Sequence, residues 1–208
     1  MNKHKLLSEV IRPTEFCDLA LPENVIQQLE KMYSSGNALN MMFYGNPGTG
    51  KTTAAKIFES GDFDAYFING SLDNGIDVIR HSILKFSTTS SLKSCPKLVI
   101  IDEADYLSRS AQSSLRGLIE KVSDNCRFIF TVNQPEKIIA PLRSRLHPVS
   151  FYYTSIGNEG VIARIAKRVS ERLVAAGFQI CPNLIFETMR KTYPDLRKFA
   201  NALQFQTQ

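Results

Sequence analysis

The stretch Gly45-Asn46-Pro47-Gly48-Thr49-Gly50-Lys51-Thr52-Thr53 is suited to holding an anion. It fits the pattern G-x-x-x-x-G-K-[ST], with an apolar run before it and a helical pattern after it. Its glycines permit backbone angles that turn consecutive N–H groups inward, and a helix starting at the lysine adds partial positive charge. Lys51 then reaches the β- and γ-phosphates of a nucleoside triphosphate, and the Thr52 hydroxyl is a ligand for Mg²⁺. A second stretch, Lys97-Leu98-Val99-Ile100-Ile101-Asp102-Glu103, ends an apolar run in two carboxylates. Asp102 can hold Mg²⁺ through water, and Glu103 can polarise an attacking water. Alone, such an acidic ending is a weak signal. About 50 residues downstream of a phosphate-binding stretch, it reads as the other half of one hydrolytic site.

Positioning these groups requires a scaffold. Runs of strand length occur at 40–44, 65–69, 97–102, 127–132 and 148–152, and they are apolar on consecutive positions, as suits strands covered on both faces. Helical patterns fill 51–60, about 75–87, 110–122 and 135–140, so the expected fold is an α/β parallel sheet with flanking helices. Residues 87–96 are polar and turn-rich, and read as a loop. After residue 153 the style changes. Over 158–176, Ile162, Ile165, Ala166, Val169 and Leu173 form an apolar stripe, with Arg164, Lys167, Arg168 and Glu171 on the other face and Gly177 as the stop. Helices near 183–192 and 194–206 complete the chain. The expected organisation is an α/β domain over 1–153 and a small all-helical lid over 154–208.

Composition sets limits. The chain has 208 residues, 43% of them hydrophobic, enough for a substantial core. No apolar run approaches the roughly 20 residues of a membrane span, and the N-terminus lacks a signal-peptide pattern. Cys17, Cys95, Cys126 and Cys181 are scattered without a C-x-x-C pair, which suits reduced thiols in a cytoplasmic protein. The net charge of +5 is mild.

Residues 102–105 spell Asp-Glu-Ala-Asp, the name of a helicase class. Such a helicase needs two RecA-like domains, about 350 residues or more in total, and this chain cannot hold both. It also lacks the S-A-T run after the acidic strand. The residues from Tyr106 to Phe151 instead resemble those of a clamp-loader ATPase subunit of the AAA+ superfamily: the replication factor C small subunits and, closer still, the ATPase subunits of T-even-type phage clamp loaders. The resemblance covers about Val10 to Leu203 in all. It implies an AAA+ P-loop NTPase with a five-stranded parallel sheet, binding ATP and Mg²⁺. By the same resemblance, Val10, Ile11, Arg12 and Pro13 lie beside the base. Asn133, in Thr131-Val132-Asn133, is the sensor 1 residue. Arg145, in Ser144-Arg145, is the arginine finger, with Arg143 as a second candidate. Arg197, in Tyr193-Pro194-Asp195-Leu196-Arg197-Lys198, is the sensor 2 arginine. Residues 45–53, Asn133 and Arg197 would hold the nucleotide, and Thr52 and Asp102 the metal. Lys51, Glu103, Asn133, Arg145 and Arg197 would act in catalysis, with Arg145 serving a neighbouring subunit. Asp105 is left with a structural role, bonding a nearby backbone amide.

The resemblance further implies contact with primer–template DNA, for which Arg80, in Gly75-Ile76-Asp77-Val78-Ile79-Arg80, and then Arg109 are candidates, with Ser108 and Ser110 as neutral phosphate partners. Gln112 and Arg116 would relay DNA occupancy to Glu103. The lid faces outward in this family, so its charge is no argument for DNA contact. Implied partners are other clamp-loader subunits in a ring or spiral, pentameric in the family's full-length form, and a sliding clamp. Two departures stand out: Leu146 replaces the cysteine of S-R-C, and the family's C-terminal collar domain is absent, as in a fragment. The chain would thus load clamps in replication, in a cellular or viral replisome. A helicase loader or recombination-associated ATPase is the alternative. A nucleotide-binding module without turnover is disfavoured by intact Lys51, Asp102 and Glu103.

Overall fold

The computed structural model of the chain describes residues 6–35, 39–72, 76–89, 95–154 and 156–206. Five strands, β1 Met41–Tyr44, β2 Asp64–Asn69, β3 Lys97–Asp102, β4 Cys126–Val132 and β5 His147–Ser150, form one sheet in the order β2-β3-β4-β1-β5. All four pairings are parallel. The unbroken apolar run of β3 has a physical cause: every one of its residues is buried, and the pleat sends them to two cores. Val99 and Ile101 pack with Ile83 of α4 (Ile76–Thr88) and with Leu115 and Leu118 of α5 (Arg109–Lys121). Leu98 and Ile100 pack with Ile26 and Leu29 of α2 (Glu23–Ser34) and with Ala54, Ala55 and Phe58 of α3 (Lys51–Glu59). Phe43, Phe58, Phe128 and Phe130 are fully buried across the two cores, each stabilising by about 1.5–3 kcal/mol.

Helix α2 is not among the expected elements, although Val25, Ile26, Leu29, Met32 and Tyr33 have a helical spacing. A four-residue helix, α1 (Leu7–Val10), also precedes the sheet. The expected helix over 135–140 is instead a 3₁₀ turn, Pro135–Lys137, and then, beyond the extended Ile138 and Ile139, α6 (Ala140–Arg143). Proline at the start of each piece favours breaking the run there. Of the loop expected over 87–96, residues 87 and 88 continue α4, where their hydroxyls bond carbonyls one turn back. Residues 90–94 lie outside the described residues.

The C-terminal part is helical as expected: α7 (Glu159–Ala175), α8 (Pro182–Thr192) and α9 (Leu196–Gln206). The stripe Ile162, Ile165, Ala166, Val169 and Leu173 is buried. Gly177 ends α7 at φ 85°, with Gly177 N–H donating to Val174 and Phe178 N–H to Leu173. The N-terminal segment joins this core, because Leu7, Ile11 and Ala20 pack among the lid helices. Phe16, Leu19 and Leu21 of the same segment pack under the sheet. The polar face of α7 is also not simply solvated: Arg164 pairs with Glu23, and Arg168 and Arg172 pair with Asp18. Among the described residues, no helix is long and apolar enough to cross a membrane.

Candidate functional site

Three strands deliver their C-terminal ends to one place. Past β1 lies the glycine-rich stretch, at the end of β3 lie Asp102 and then Glu103, and past β4 lies Asn133. Gly48 and Gly50 hold φ of 81° and 94°, angles that side chains resist, and Gly50 caps α3. Lys51 is buried, and its ammonium donates to the carbonyls of Gly45 at 2.8 Å and Asn46 at 2.7 Å. Burial pulls its pKa down to about 8, against the nearby charges of Asp105 and Asp102, which hold it up, while Arg197 adds to the depression.

Thr52 Oγ1 donates to Asp102 Oδ1 at 2.7 Å, and Thr131 Oγ1 donates to the same oxygen at 2.5 Å. Thr131 Oγ1 in turn accepts the backbone N–H of Glu103 at 3.0 Å. One threonine of β4 therefore fixes both acids at the end of β3. This task of Thr131 is invisible in the sequence, because it depends on strand pairing. Glu103 sits at φ 54° and ψ 42°, the only non-glycine residue with positive φ among the described residues, and is half-buried. Such a conformation costs of order 1–3 kcal/mol and persists where surroundings enforce it. Here they do: Gly70 N–H donates to Asp102 O at 2.7 Å, and a Cβ on Gly70 would lie 2.9 Å from Glu103 O.

One cleft of about 220 Å³ lies against most of these groups, though Asp102, Gly45 and Asn46 are not among its lining residues. Lys51, Thr52, Glu103, Asn133 and Arg197 line its polar end. Ile11, Pro13, Val169 and Phe199 supply apolar wall, which suits a flat base. Arg12, Pro47, Gly48, Gly50, Thr53 and Thr131 also line it. Val10 packs against the lid core instead, and Thr49 is buried beneath the loop with its hydroxyl donating to Asn46 O at 2.9 Å. The lid meets the loop directly: Leu196 N–H donates to Gly48 O at 2.9 Å, and Asp195 caps α9 by accepting from the N–H groups of Arg197 and Lys198.

Asp18 carries no motif that would single it out in the sequence. It is buried, lines the same cleft, and accepts from Arg168 and Arg172 of α7. Burial alone would raise its pKa, but the Arg168 hydrogen bond and the Arg172 charge outweigh it and hold the carboxyl below its usual value. Arg172 also donates to Arg12 O and to Thr14 Oγ1, tying α7 to the segment that includes Ile11 and Pro13.

The remaining candidates lie elsewhere. Arg145 is not in this cleft; it pairs with Glu120 of α5 and donates to Pro141 O at 2.6 Å. Arg143 is exposed, its guanidinium 3.4 Å from Pro135 O. Ser108 caps α5, with its Oγ accepting from Ala111 N–H at 3.2 Å and lying 3.0 Å from the Ser110 hydroxyl. Arg109 begins α5 and is exposed, as are Arg80 on α4 and Arg116. Gly75, which opens the Arg80 segment, lies outside the described residues. Gln112 is buried, donates to Leu107 O and Lys137 O, and accepts from Ile139 N–H, pinning the head of α5 to the segment after Asn133. Asp105 does bond a backbone amide, accepting from Gln134 N–H at 3.3 Å.

The family described as "ATPase family associated with various cellular activities (AAA)" matches residues 41–152. The chain is similar to replication factor C small subunit 2 of Pyrobaculum islandicum, 35% identical over 203 residues, covering 94% of this chain and 62% of that protein. It is also similar to the replication factor C small subunit of Sulfolobus acidocaldarius, 31% identical over 211 residues, covering 98% and 63%. The chain thus spans less than two thirds of the length of these relatives. Among solved structures, the RuvB Holliday junction branch migration motor of Thermotoga maritima superposes with a TM-score of 0.68 at 20% identity, covering 94% of this chain and 64% of that one, a likeness of fold.

Proposed function

The chain belongs to the AAA family of ATPases, and on that premise we propose that it is an ATPase subunit of a DNA sliding-clamp loader in a cellular or viral replisome. The observation that carries the ATPase part is the convergence of Lys51, Thr52, Glu103, Asn133 and Arg197 on one cleft. The clamp-loader part is supported by the similarity to replication factor C small subunits along nearly the whole chain.

In this reading the base lies against Ile11, Pro13, Val169 and Phe199, and the phosphates lie on the N–H groups of the loop and on Lys51. Lys51 must leave the carbonyls of Gly45 and Asn46 to do this. The hard oxygen donors Thr52 Oγ1 and Asp102 Oδ1, already side by side, fit a hydrated Mg²⁺, which would neutralise phosphate charge. Glu103 acts as the base that orients water, held in its strained conformation by Thr131 and Gly70. Asn133 positions the water or the γ-phosphate. Arg197, on the lid, senses the γ-phosphate and couples lid angle to nucleotide state. Arg145 lies outside its own cleft and serves a neighbour's nucleotide in a ring or spiral. DNA is gripped by Arg80, Arg109, Ser108 and Ser110, and Gln112 passes its presence toward Glu103.

The test is the ATPase rate of the chain in its native assembly, with and without primed DNA and a sliding clamp. Stimulation by both together is expected. A rate indifferent to both would remove the clamp-loader reading while leaving the ATPase intact.

A further inference from the structure

Resting on the reading that this protein handles DNA, we propose that a second cleft, beside the head of α5, is a subsite for an unpaired nucleotide of single-stranded DNA, with Tyr106 as its stacking platform. The cleft, about 610 Å³, lies between the start of α5 and the segment after Asn133. Its walls carry three cations, Arg109, Lys137 and Arg143, against Asp105 and Glu136. All three cations are exposed.

Tyr106 stands next to this cleft. It is 60% exposed, although it comes directly after two buried residues, Ala104 and Asp105. The Lys137 ammonium lies over its ring at 5.7 Å. An exposed aromatic ring with a lysine at its face and arginines in the neighbouring cleft suits an unpaired base: the ring takes the π-face of the base, and the cations take the adjoining phosphates. Inside a duplex both faces of each base are already stacked, so the occupant is single-stranded. Asp105 lines the same wall. The same Asp105 charge bears on Lys51, so an occupant here touches the wall that also serves the ATP site.

The experiment measures fluorescence anisotropy of the native assembly with two probes, a primed template carrying a single-stranded overhang and a blunt duplex of equal length. Tyr106→Ala is expected to weaken the overhang probe by about five- to a hundredfold, leave the blunt duplex unchanged, and preserve the salt slope, because an aromatic contact releases no counterions. Tyr106→Phe keeps the ring and should bind as the wild type does. Lys137→Ala should reduce the salt slope by about 0.7–0.9. An unchanged basal ATPase rate in each variant reports an intact fold. Wild-type affinity of Tyr106→Ala for the overhang probe overturns the inference, and so does an equal loss on both probes. A wild-type assembly that binds neither probe sinks the DNA reading itself, and this subsite with it.

Discussion

The groups around the first cleft and the groups at the outer surface are held in opposite ways. Asp102 and Thr131 are buried on adjacent strands and, with Thr52 at the head of α3, are tied into a short hydrogen-bond network. Arg80, Arg109 and Arg143 are exposed, and Arg145, partly exposed, is held by a single carboxylate and a carbonyl. A group that acts on the chain's own ligand gains from preorganisation, since the fold has already offset its ordering entropy. A group that acts on another molecule must be able to leave its resting contacts. The difference separates residues the fold completes from residues an assembly would complete.

The sharpest way to break this comparison is at Arg145. Arg145→Ala should cost about 10³–10⁵ in the assembled ATPase and nothing measurable in nucleotide affinity, since it lies outside its own cleft. Steady-state rates in mixed assemblies check this, and a defect confined to the variant's own site would end the trans assignment. Glu103→Gln comes next. It should reduce turnover by about 10²–10⁴ while a fluorescent ATP analogue binds as before. Turnover at the wild-type rate would take the base away from Glu103.

Smaller effects sharpen the buried side. Asp18→Asn removes a buried charge facing two arginines and should cost about 2 kcal/mol in denaturant unfolding. The sign with pH comes from its depressed pKa. The stabilisation is fully present above the unfolded value of 3.8 and is lost as pH falls through the lower folded value. The variant should therefore differ from wild type at neutral pH and converge with it in acid. Glu23→Ala, which removes an exposed carboxylate of α2 paired with Arg164 of α7, should stay within about 0.5 kcal/mol. Equal costs for the two would mean that burial does not distinguish them.

Legibility in the sequence tracks the range of each interaction. Strands β1 to β4 and the lid stripe are readable because apolar spacing is local and burial enforces it. The loop at 45–53 is readable because its glycines and lysine act within nine consecutive residues. Thr131 is not readable, since its hold on Asp102 and Glu103 depends on β3 lying beside β4. Asp18 and Arg168 are 150 positions apart and meet only once the N-terminal segment packs against the lid. The break between Pro135–Lys137 and α6 is masked by apolar residues, Ile138 and Ile139, that suit a helix yet are used in extended form.

The bond from Leu196 N–H to Gly48 O has a consequence of another kind. It joins the lid to the phosphate loop through main chain alone, so trimming the Leu196 side chain to alanine leaves the link whole. Only replacements that act on the backbone itself can sever it: proline at 196, by deleting the donor, or any side chain at 48, where a Cβ would sit 2.1 Å from Asp195 Oδ1. This main-chain link between lid and loop is therefore insensitive to most side-chain substitutions at position 196.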